Sequence, residues 1–322
     1  MHRRTLLTAT AAVLTQPALA QSAYPDRTLR MIIPWPPGQA TDLIGRLIAQ
    51  KLGEAFGQTV VAENRAGAGG QIGTDAAAKA QPDGYTLLAA SAGPMTISPL
   101  VQRVSYDPEK DFAPVAMTSN SPYVLVVRPN FPARDIAGFV AEVKANPGRY
   151  TFSSSGTGAA AHLICEWFNH RAGFNVVHVP FAGSIPGLTA VMAGQVDYAM
   201  ETLAATGPMF RQGQLRALGI SLAKGSTLAP DIPPIATAAN MPGYDIGAWG
   251  GLMVPARTPQ PVIQRLSAAM DGIMRTPDML ARFAAIGVEV DYRPAEAFAT
   301  LLRQQSTMFS DIIRTANIKV EQ

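Results

Sequence analysis

The sequence is poor in cysteine, in charge and in long apolar runs. Cys165 is the only cysteine, so the chain cannot form an internal disulfide and its stability must come from packing. Charged residues make up 15% of the 322 positions, and no block of like charge is present, which argues against a nucleic-acid partner. No stretch reaches the roughly 18 uninterrupted apolar residues that a membrane-spanning helix needs. With 48% hydrophobic residues, the chain is long enough to build two globular lobes.

Residues 1–20 have the pattern of a cleaved export signal. Arg3 and Arg4 form its positive end, residues 6–14 form a short apolar core, and Ala-Leu-Ala at 18–20 gives the small-residue cleavage site. Removing the two arginines lowers the formal net charge from +3 to +1. The adjacent arginines leave both the general secretory route and the twin-arginine route open. Either route predicts an exported protein.

Signatures of common enzyme classes are missing from the sequence. It contains neither a G-x-S-x-G nucleophile turn nor a phosphate-binding P-loop. The glycines of residues 67–73 do not match the G-x-G-x-x-G dinucleotide spacing, because the third glycine position falls on Ile72. Ser154 or Ser155 with His162 could form a nucleophile and base. The alternative is that this histidine orders its turn or faces a ligand.

A metal site is indicated even more weakly. His162, Cys165 and Glu166 fall on one predicted helix, but structural zinc needs more nitrogen and sulfur ligands in one cluster. We therefore expect no metal, no cofactor and no catalytic residue. Neutral donors in turns fit reversible binding better than bond-making, so we interpret the protein as a binder and not an enzyme.

Apolar runs and helical periodicities alternate along the chain. Predicted strands cover residues 29–34, 59–63, 85–90, 123–127, 150–153, 175–180, 196–200, 215–221 and 244–254. Predicted helices cover 43–56, 73–80, 136–145, a segment after 158, 186–193, 259–275 and 294–316, with loops at 107–114 and 225–243. The β-α-β order predicts an α/β fold with parallel strands and right-handed crossovers. Because two similar units are joined by at least two crossings, we expect two lobes with a hinge between them.

Two glycine-containing turns follow strands and open helices. The first is Ile-Ile-Pro-Trp-Pro-Pro-Gly-Gln-Ala-Thr-Asp at 32–42, and the second is Ser-Ser-Gly-Thr-Gly at 154–158. Helix N-termini leave backbone N–H groups unpaired and carry a partial positive charge, so each turn could hold a carboxylate. Thr41 or Asp42 is predicted to cap the first helix, and Asp42 could instead receive a ligand amine or a water. Ser91 follows a strand, where it is either a ligand contact or a simple turn serine.

The motifs of this sequence, taken together and in order, resemble one family. They are Tyr24-Pro25, Pro36-Pro37-Gly38-x-x-x-Asp42, Val60-Val61-Ala62-Glu63-Asn64-Arg65-x-Gly67-Ala68-Gly69-Gly70-x-Ile72-Gly73, Pro82-Asp83-Gly84-Tyr85-Thr86-Leu87-Leu88, Ser155-Gly156-x-Gly158-x-x-x-His162-Leu163, His178-Val179-Pro180-Phe181-x-Gly183, Gly194-Gln195-Val196-Asp197 and Trp249-Gly250-Gly251-Leu252. The set resembles the periplasmic solute receptors of tripartite tricarboxylate transporters, often called Bug-type receptors. The resemblance extends over nearly all of the chain after the export signal.

This resemblance implies a type II periplasmic-binding-protein fold, whose two lobes close by a hinge on a ligand in the cleft. Lobe 1 would comprise residues 24–122 and 236–322, and lobe 2 would comprise residues 123–235. It also implies a monomeric periplasmic receptor that captures a small organic carboxylate and presents it to membrane permease subunits. The ligand-binding residues that we expect are Trp35, Pro37, Gly38, Gln39, Ala40, Thr41, Asp42, Ser91, Ser154, Ser155, Gly156, Thr157, Gly158, His162, Gly183, Glu201 and Thr202.

The chain departs from the family pattern at three places. Gln39 stands where a second glycine is usual, Ala159 where a hydroxyl residue is usual, and Glu201-Thr202 where Asp or Asn is common. Gln39 adds a side-chain donor and acceptor, whereas Ala159 removes a donor. We therefore carry over no relative's ligand. The alternatives to a transport receptor are a sensor that feeds a signalling partner and an exported serine hydrolase using Ser155 and His162.

Overall fold

A computed structural model describes residues 24–315, and the predicted export signal at 1–20 lies outside this range. Its strands are β1 (Leu29–Ile33), β2 (Val60–Asn64), β3 (Thr86–Ser91), β4 (Phe112–Val127), β5 (Thr151–Ser154), β6 (Val177–Pro180), β7 (Tyr198–Thr202), β8 (Arg216–Ile220), β9 (Gly247–Pro255) and β10 (Val290–Pro294). Its helices are α1 (Ala40–Phe56), α2 (Gln71–Ala78), α3 (Ser98–Val101), α4 (Ile136–Ala145), α5 (Ala160–Ala172), α6 (Ser184–Met192), α7 (Leu203–Arg211), α8 (Ile235–Ala238), α9 (Gln260–Met274), α10 (Pro277–Ala285) and α11 (Ala295–Thr315). A 3₁₀ turn lies at Ala68–Gly70 and a π-helical turn at Gly93–Ile97. The predicted α/β class is confirmed.

The strands form a curled sheet in the order β2-β1-β3-β9-β4-β7-β5-β6, with β8 and β10 also paired to β4. In one half of the sheet, β1 lies parallel to β2 and β3. In the other half, β5 lies parallel to β6 and β7. Between these groups, β9 runs antiparallel to β3 and β4. The carboxyl ends of parallel strands share an edge, so each half presents one edge at which turns collect.

The long strand β4 belongs to both halves of the sheet. Its first part, 112–122, pairs with β9 and β10, and its last five residues pair with β7 and β8. The predicted loop at 107–114 and the predicted strand at 123–127 were wrong about where β4 begins. Polar residues and prolines dominate 112–122, which indicates a loop when read locally. Pairing on both sides instead buries Thr118 and its neighbours in the sheet.

The predicted first helix corresponds to α1, which is amphipathic. Ile44, Ile48 and Leu52 are buried, and full burial of each such side chain is worth about 1.5–3 kcal/mol. The helix ends at Gly57, whose φ of 64° is a left-handed conformation that glycine adopts without strain. Leu43 lies at the edge of the apolar face and remains 40% exposed.

Five elements escaped the sequence prediction: the short helices α3 and α8, and α7, α10 and β10. Helix α7 contains Pro208, which usually argues against a helix interior. Helix α10 starts at Thr276, whose hydroxyl accepts the N–H of Met279 as an N-cap. Strand β10 is short and depends on pairing with β4, more than 160 residues earlier in the chain.

Two hydrophobic cores lie in the two halves of the sheet, and α11 packs against both. Phe298 of α11 packs edge-on against Trp249 of β9, and Gly251 leaves the space that this ring occupies. Further along, Phe309 joins the core of the β5–β7 half. Tyr244 joins that core too, because its hydroxyl donates to the backbone of α5. Within residues 24–315 no helix is both long enough and apolar enough to cross a membrane.

Candidate ligand-binding site

The turns that follow β1, β3, β5, β6 and β7 surround one cavity of about 840 Å³. A volume of this size suits a small molecule. Of the residues predicted for the site, those that line the cavity are Trp35, Gln39, Ala40, Thr41, Ser91, Ser155, Gly156, Thr157, Gly158, Gly183, Glu201 and Thr202. Those that do not line it are Pro37, Gly38, Asp42, Ser154 and His162. The structure therefore brings twelve of the seventeen together around one space, and their ligand contacts stay a prediction.

Asp42 holds the β1–α1 turn from behind. Only 2% exposed, its carboxylate accepts the N–H of Gly38 at 2.8 Å, Nδ2 of Asn64 at 2.7 Å and Nε of Arg46 at 2.9 Å. Burial raises the pKa of this carboxyl, but the hydrogen bonds from Asn64 and Gly38 and the Arg46 guanidinium together hold it below its usual range. A ligand contact of Asp42 stays a prediction, although its oxygens accept three protein donors and it does not line the cavity.

The same contacts change which groups of the first turn face the cavity. The N-cap of α1 is Gln39, so the predicted cap at Thr41 or Asp42 was wrong. The N–H of Gly38 is engaged by Asp42, whereas those of Ala40 and Thr41 have no acceptor within residues 24–315. These two N–H groups, together with the side chain of Gln39, are the donors that this turn offers.

Trp35 and Ser91 join the β1 turn to the β3 turn. The indole Nε1 of Trp35 donates to Oγ of Ser91 at 2.9 Å, and both residues line the cavity. Ser91 therefore fixes the tryptophan ring that forms one wall. The sequence left two roles open for Ser91, a ligand contact or a simple turn serine. The structure adds a third role, because Ser91 also anchors the ring of Trp35.

The second turn is held by two histidines, of which His162 is buried and His178 is half-buried. The N–H of Gly158 donates to Nδ1 of His162 at 3.1 Å, and Oγ of Ser154 lies 2.7 Å from Nε2 of His178. The two imidazole rings stack with centroids 3.9 Å apart. Burial lowers the pKa of each histidine to about 4, and the neighbouring His178 lowers that of His162 further. Both rings are therefore neutral at pH 7 and orient the turn from behind.

This geometry does not support the alternative of a serine nucleophile with His162 as its base. Nδ1 of His162 accepts a backbone N–H, and no hydrogen bond joins His162 to Ser155 within the described residues. Ser154 does bond a histidine, His178, but Ser154 is buried and outside the cavity lining. A serine nucleophile must face its substrate, so neither pairing has the arrangement that acyl transfer needs.

Glu201 ends β7 and faces the cavity as a buried acid. Its Oε2 accepts the hydroxyl of Ser184 at 2.9 Å, while Oε1 makes no hydrogen bond of good geometry to residues 24–315. Burial raises the pKa of Glu201 to about 7, and hydrogen bonding to Ser184 and Ser155 opposes the rise. The next residue, Thr202, caps α7 by accepting the N–H of Ala205.

Several cavity-lining residues were missed from the sequence, chiefly on β4 and around the π-helical turn. They are Ser98, Gln102, Ser119, Ser121, Tyr123, Ser184 and Trp249. Trp249 belongs to the motif Trp249-Gly250-Gly251-Leu252, and this motif was the one signal in the sequence that pointed to any of these residues. The β4 residues could have been found only by predicting that strand at its full length.

Comparison with known proteins identifies the family. Residues 44–318 match the family described as "Tripartite tricarboxylate transporter family receptor". The chain belongs to this family. The receptor is 34% identical over 314 residues to the "UPF0065 protein in tcbD-tcbE intergenic region" of Pseudomonas sp. (strain P51), covering 97% of this chain and 94% of that protein. It is 32% identical over 305 residues to protein BugT of Bordetella pertussis, covering 94% and 93% of the two chains.

Solved structures support the same assignment. A structure described as that of a periplasmic transporter superposes with a TM-score of 0.78 at 36% identity, covering 93% of the receptor and all of that chain. Rpa4515 of R. palustris with adipate gives a TM-score of 0.77 at 27% identity, covering 92% and 99%. MatC of Rhodopseudomonas palustris with bound malate gives 0.73 at 30% identity, covering 90% and 100%. The predicted two-lobe periplasmic-binding-protein fold is confirmed.

Proposed function

We propose that this receptor captures a small organic carboxylate in the cavity and delivers it to the permease of a tripartite tricarboxylate transporter. The observation that carries the proposal is the pair of opposed turns with unpaired backbone N–H groups. Ala40 and Thr41 at the start of α1, and Thr157, Ala160 and Ala161 at the start of α5, line the same cavity, and their N–H groups have no acceptor within residues 24–315. The N–H groups of Gly156 and Gly158 are instead engaged by Ser154 and His162. Two helix N-termini that face one space favour an anion there, without any arginine or lysine in the lining.

Relatives supply the ligand class. Rpa4515 is described with adipate and MatC with malate, and both share the fold of this receptor at 27–30% identity. Both compounds are small dicarboxylates. A carboxylate therefore fits the donor set of the cavity and the ligands of the neighbours together, whereas the departures at Gln39 and Glu201 keep the individual compound open.

The two halves of the receptor act as lobes that close on the ligand. We set the lobe boundaries at 122/123 within β4 and at 246/247 before β9, which revises the second boundary from 235/236. This revision rests on Tyr244, which packs in the core of the β5–β7 half. Ser221 links the two places at which the chain passes between the lobes. Its hydroxyl accepts the N–H of Tyr123 and donates to the carbonyl of Ile246.

Closure of the two lobes depends on the difference between the ligand's affinities for the closed and the open form. A ligand shifts an open–closed equilibrium only if it binds the closed form better, and here that happens when both turns contact the same carboxylate-bearing molecule. Helix α11 packs against both lobes through Phe298 and Phe309, so it must adjust as they move. The receptor works as an exported monomer in the periplasm after removal of residues 1–20.

A thermal-shift panel of aliphatic and aromatic mono- and dicarboxylates tests the function. At a ligand concentration of 100 times Kd, binding adds about 2.7 kcal/mol to the free energy of unfolding. For a protein of this size, that should raise Tm by about 4 °C. The bound compound should be recovered unchanged. Ser155→Ala should reduce the shift, and Ser105→Ala, on the exposed surface away from the cavity, is the matched control.

Two results would contradict the proposal. If no carboxylate raised Tm, the ligand class would be wrong. If a compound were consumed and turnover disappeared in Ser155→Ala, the receptor would be an enzyme. Co-purification of permease subunits with the ligand-bound receptor tests the transport role against a role in signalling.

A further inference from the structure

We propose that Glu201 binds the ligand as a neutral carboxylic acid, so that capture of an anionic ligand takes up a proton at this residue. This inference rests on the proposed function, because it concerns how a carboxylate is accommodated in the same cavity. It goes beyond that function by giving one side chain a specific chemical state. It also makes the affinity of the receptor depend on pH in a defined direction.

The position of Glu201 is the first support. The residue is only 3% exposed, yet it lines the cavity at the carboxyl end of β7. Oε2 accepts the hydroxyl of Ser184, whereas Oε1 makes no hydrogen bond of good geometry within residues 24–315, although the hydroxyl and N–H of Ser155 and the N–H of Thr202 lie near the carboxyl. A buried, unpaired carboxylate oxygen is unfavourable. Such an oxygen is relieved either by carrying a proton itself or by receiving a donor from the ligand.

The charges around Glu201 are the second support. Among the described residues that line the cavity, Glu201 is the one with a charged or acidic side chain, and no lysine, arginine or histidine joins it. An anionic ligand would therefore enter next to an ionised Glu201 without any cation to separate the two charges. In a cavity with little water, that repulsion is strong. Protonation of Glu201 removes the repulsion.

The groups that face Glu201 from neighbouring elements are neutral. On β4, burial raises the pKa of Tyr123, and on α5, burial raises the pKa of the Cys165 thiol, so both keep their protons at pH 7. The hydroxyls of Ser155, after β5, and of Ser184, on α6, lie beside the carboxyl. α7 begins after Thr202 with Leu203, Ala204 and Ala205, none of which carries charge.

The histidines behind the second turn add no positive charge near Glu201. His162 on α5 and His178 on β6 both have a pKa lowered to about 4 by burial, so neither supplies a positive charge at neutral pH. Among the described residues, no cationic side chain therefore surrounds Glu201.

The cost of protonating Glu201 is small near neutral pH. Burial already raises its pKa to about 7, although Ser184, Ser155 and the backbone N–H groups of Thr202 and Ser155 act in the opposite direction. A bound anion raises the pKa further, because it disfavours a second negative charge nearby. The protonated acid then has an O–H to donate from Oε1 to a ligand oxygen. A carboxylic acid that donates to a carboxylate forms a short, charge-assisted hydrogen bond.

The test measures affinity and proton uptake together. Isothermal titration with adipate and with malate at pH 6.0, 7.0 and 8.5 uses ligands whose own carboxyls, with ordinary pKa values of about 4, stay ionised over most of that range. If only protonated Glu201 binds and its pKa is about 7, then Kd should increase about 30-fold between pH 6.0 and pH 8.5. Repeating the pH 7.0 titration in two buffers of different ionisation enthalpy should reveal uptake of about half a proton for each ligand bound, because half of Glu201 already carries its proton at a pH equal to its pKa.

Two variants assign the effect to this residue. Glu201→Gln keeps the shape and supplies a permanent N–H donor, so its Kd should be nearly independent of pH and should be lower than that of the natural receptor at pH 8.5. Glu109→Gln removes the same charge from an exposed loop and should retain the full pH dependence. Circular dichroism melts at each pH establish that the variants are folded.

The outcomes separate this inference from the function on which it rests. If neither these dicarboxylates nor any other carboxylate of the panel binds at any pH, the proposed function fails and this inference fails with it. If a carboxylate binds with a flat pH profile, or if Glu201→Gln keeps the profile, the function stands and this inference is overturned. Tighter binding at higher pH with proton release would also overturn it, since Glu201 would then be ionised and would accept a donor from the ligand.

Discussion

Asp42→Ala should destabilise the receptor far more than an ordinary loss of a surface ion pair. The buried carboxylate accepts from Gly38 at 2.8 Å and from Asn64 at 2.7 Å, and its third partner, Arg46, is half exposed. Hydrogen bonds to charged groups are worth about 1.5–3 kcal/mol each, whereas the exposed Arg46 contact adds less than about 1 kcal/mol. Because such contributions are not additive, we expect a loss of about 3 kcal/mol in the free energy of unfolding, or about 5 °C in Tm.

Asp271→Ala is the matched control for this change. Asp271 also pairs with an arginine four residues later on a helix, but its side chain is 47% exposed. An exposed i,i+4 pair contributes about 0.3–0.5 kcal/mol. Urea unfolding followed by circular dichroism at pH 7 should therefore separate Asp42→Ala from the control by about 2.5 kcal/mol.

Two further measurements complete the test of Asp42→Ala: its affinity for a carboxylate and the pH dependence of its stability. Asp42→Ala should also weaken carboxylate binding, because the freed Gly38 N–H no longer fixes the turn. The pKa of Asp42 is lowered in the fold, so its stabilisation is fully present above the unfolded value of about 3.9 and is lost as pH falls through the folded value. The difference between wild type and variant should thus shrink only below about pH 4. A variant as stable as the control that nevertheless binds no ligand would refute the reasoning, because Asp42 would then contact the ligand directly.

Two further predictions concern the second turn. Gly158 has a φ of 76°, so Gly158→Ala should lose about 1–2 kcal/mol through backbone strain, whereas Gly272→Ala, inside α9 with open space around it, should gain about 0.5–1 kcal/mol; urea unfolding measures both. The pKa of His162 and of His178 is lowered to about 4, so their contribution to stability is complete above about pH 6.5 and declines as pH falls towards 4. Of the stability lost between pH 7.0 and pH 4.5 in unfolding titrations, about 2–3 kcal/mol should come from His162, and this part should be absent in His162→Gln. The exposed His170→Gln should leave that loss unchanged, and an unchanged loss in both variants would assign it to other groups.

Local signals in the sequence predicted much of the fold. The predicted strand at 29–34 became β1, and the predicted helix at 43–56 became most of α1, because an apolar run and a helical period are properties of neighbouring residues. Local signals did not predict the full length of β4, because its first part is polar and contains Pro114. Its strand conformation depends on pairing with β9 and β10, which lie more than 120 residues away.

The candidate site was predictable where it depended on local geometry. The turns at 35–42 and 154–158 were found because a strand, a glycine turn and a helix follow one another in the sequence. The direction in which a side chain points was not predictable. Asp42 turns inward because Asn64, 22 residues later, meets it, and His162 turns inward to stack on His178. These partners come together only in the folded chain.

Several motif residues lie behind the cavity, whereas the departures line it. Asp42, Asn64, His162 and His178 belong to the motifs that this chain shares with its family, and the first three hold the turns by hydrogen bonds without lining the cavity. The departures at 39, 159 and 201–202 all line it. A framework that keeps two turns in register while the lining changes can present the same backbone donors to different carboxylates. We therefore predict that Gln39 and Glu201 determine ligand selectivity, and that exchanging them alters which ligand binds without altering the fold.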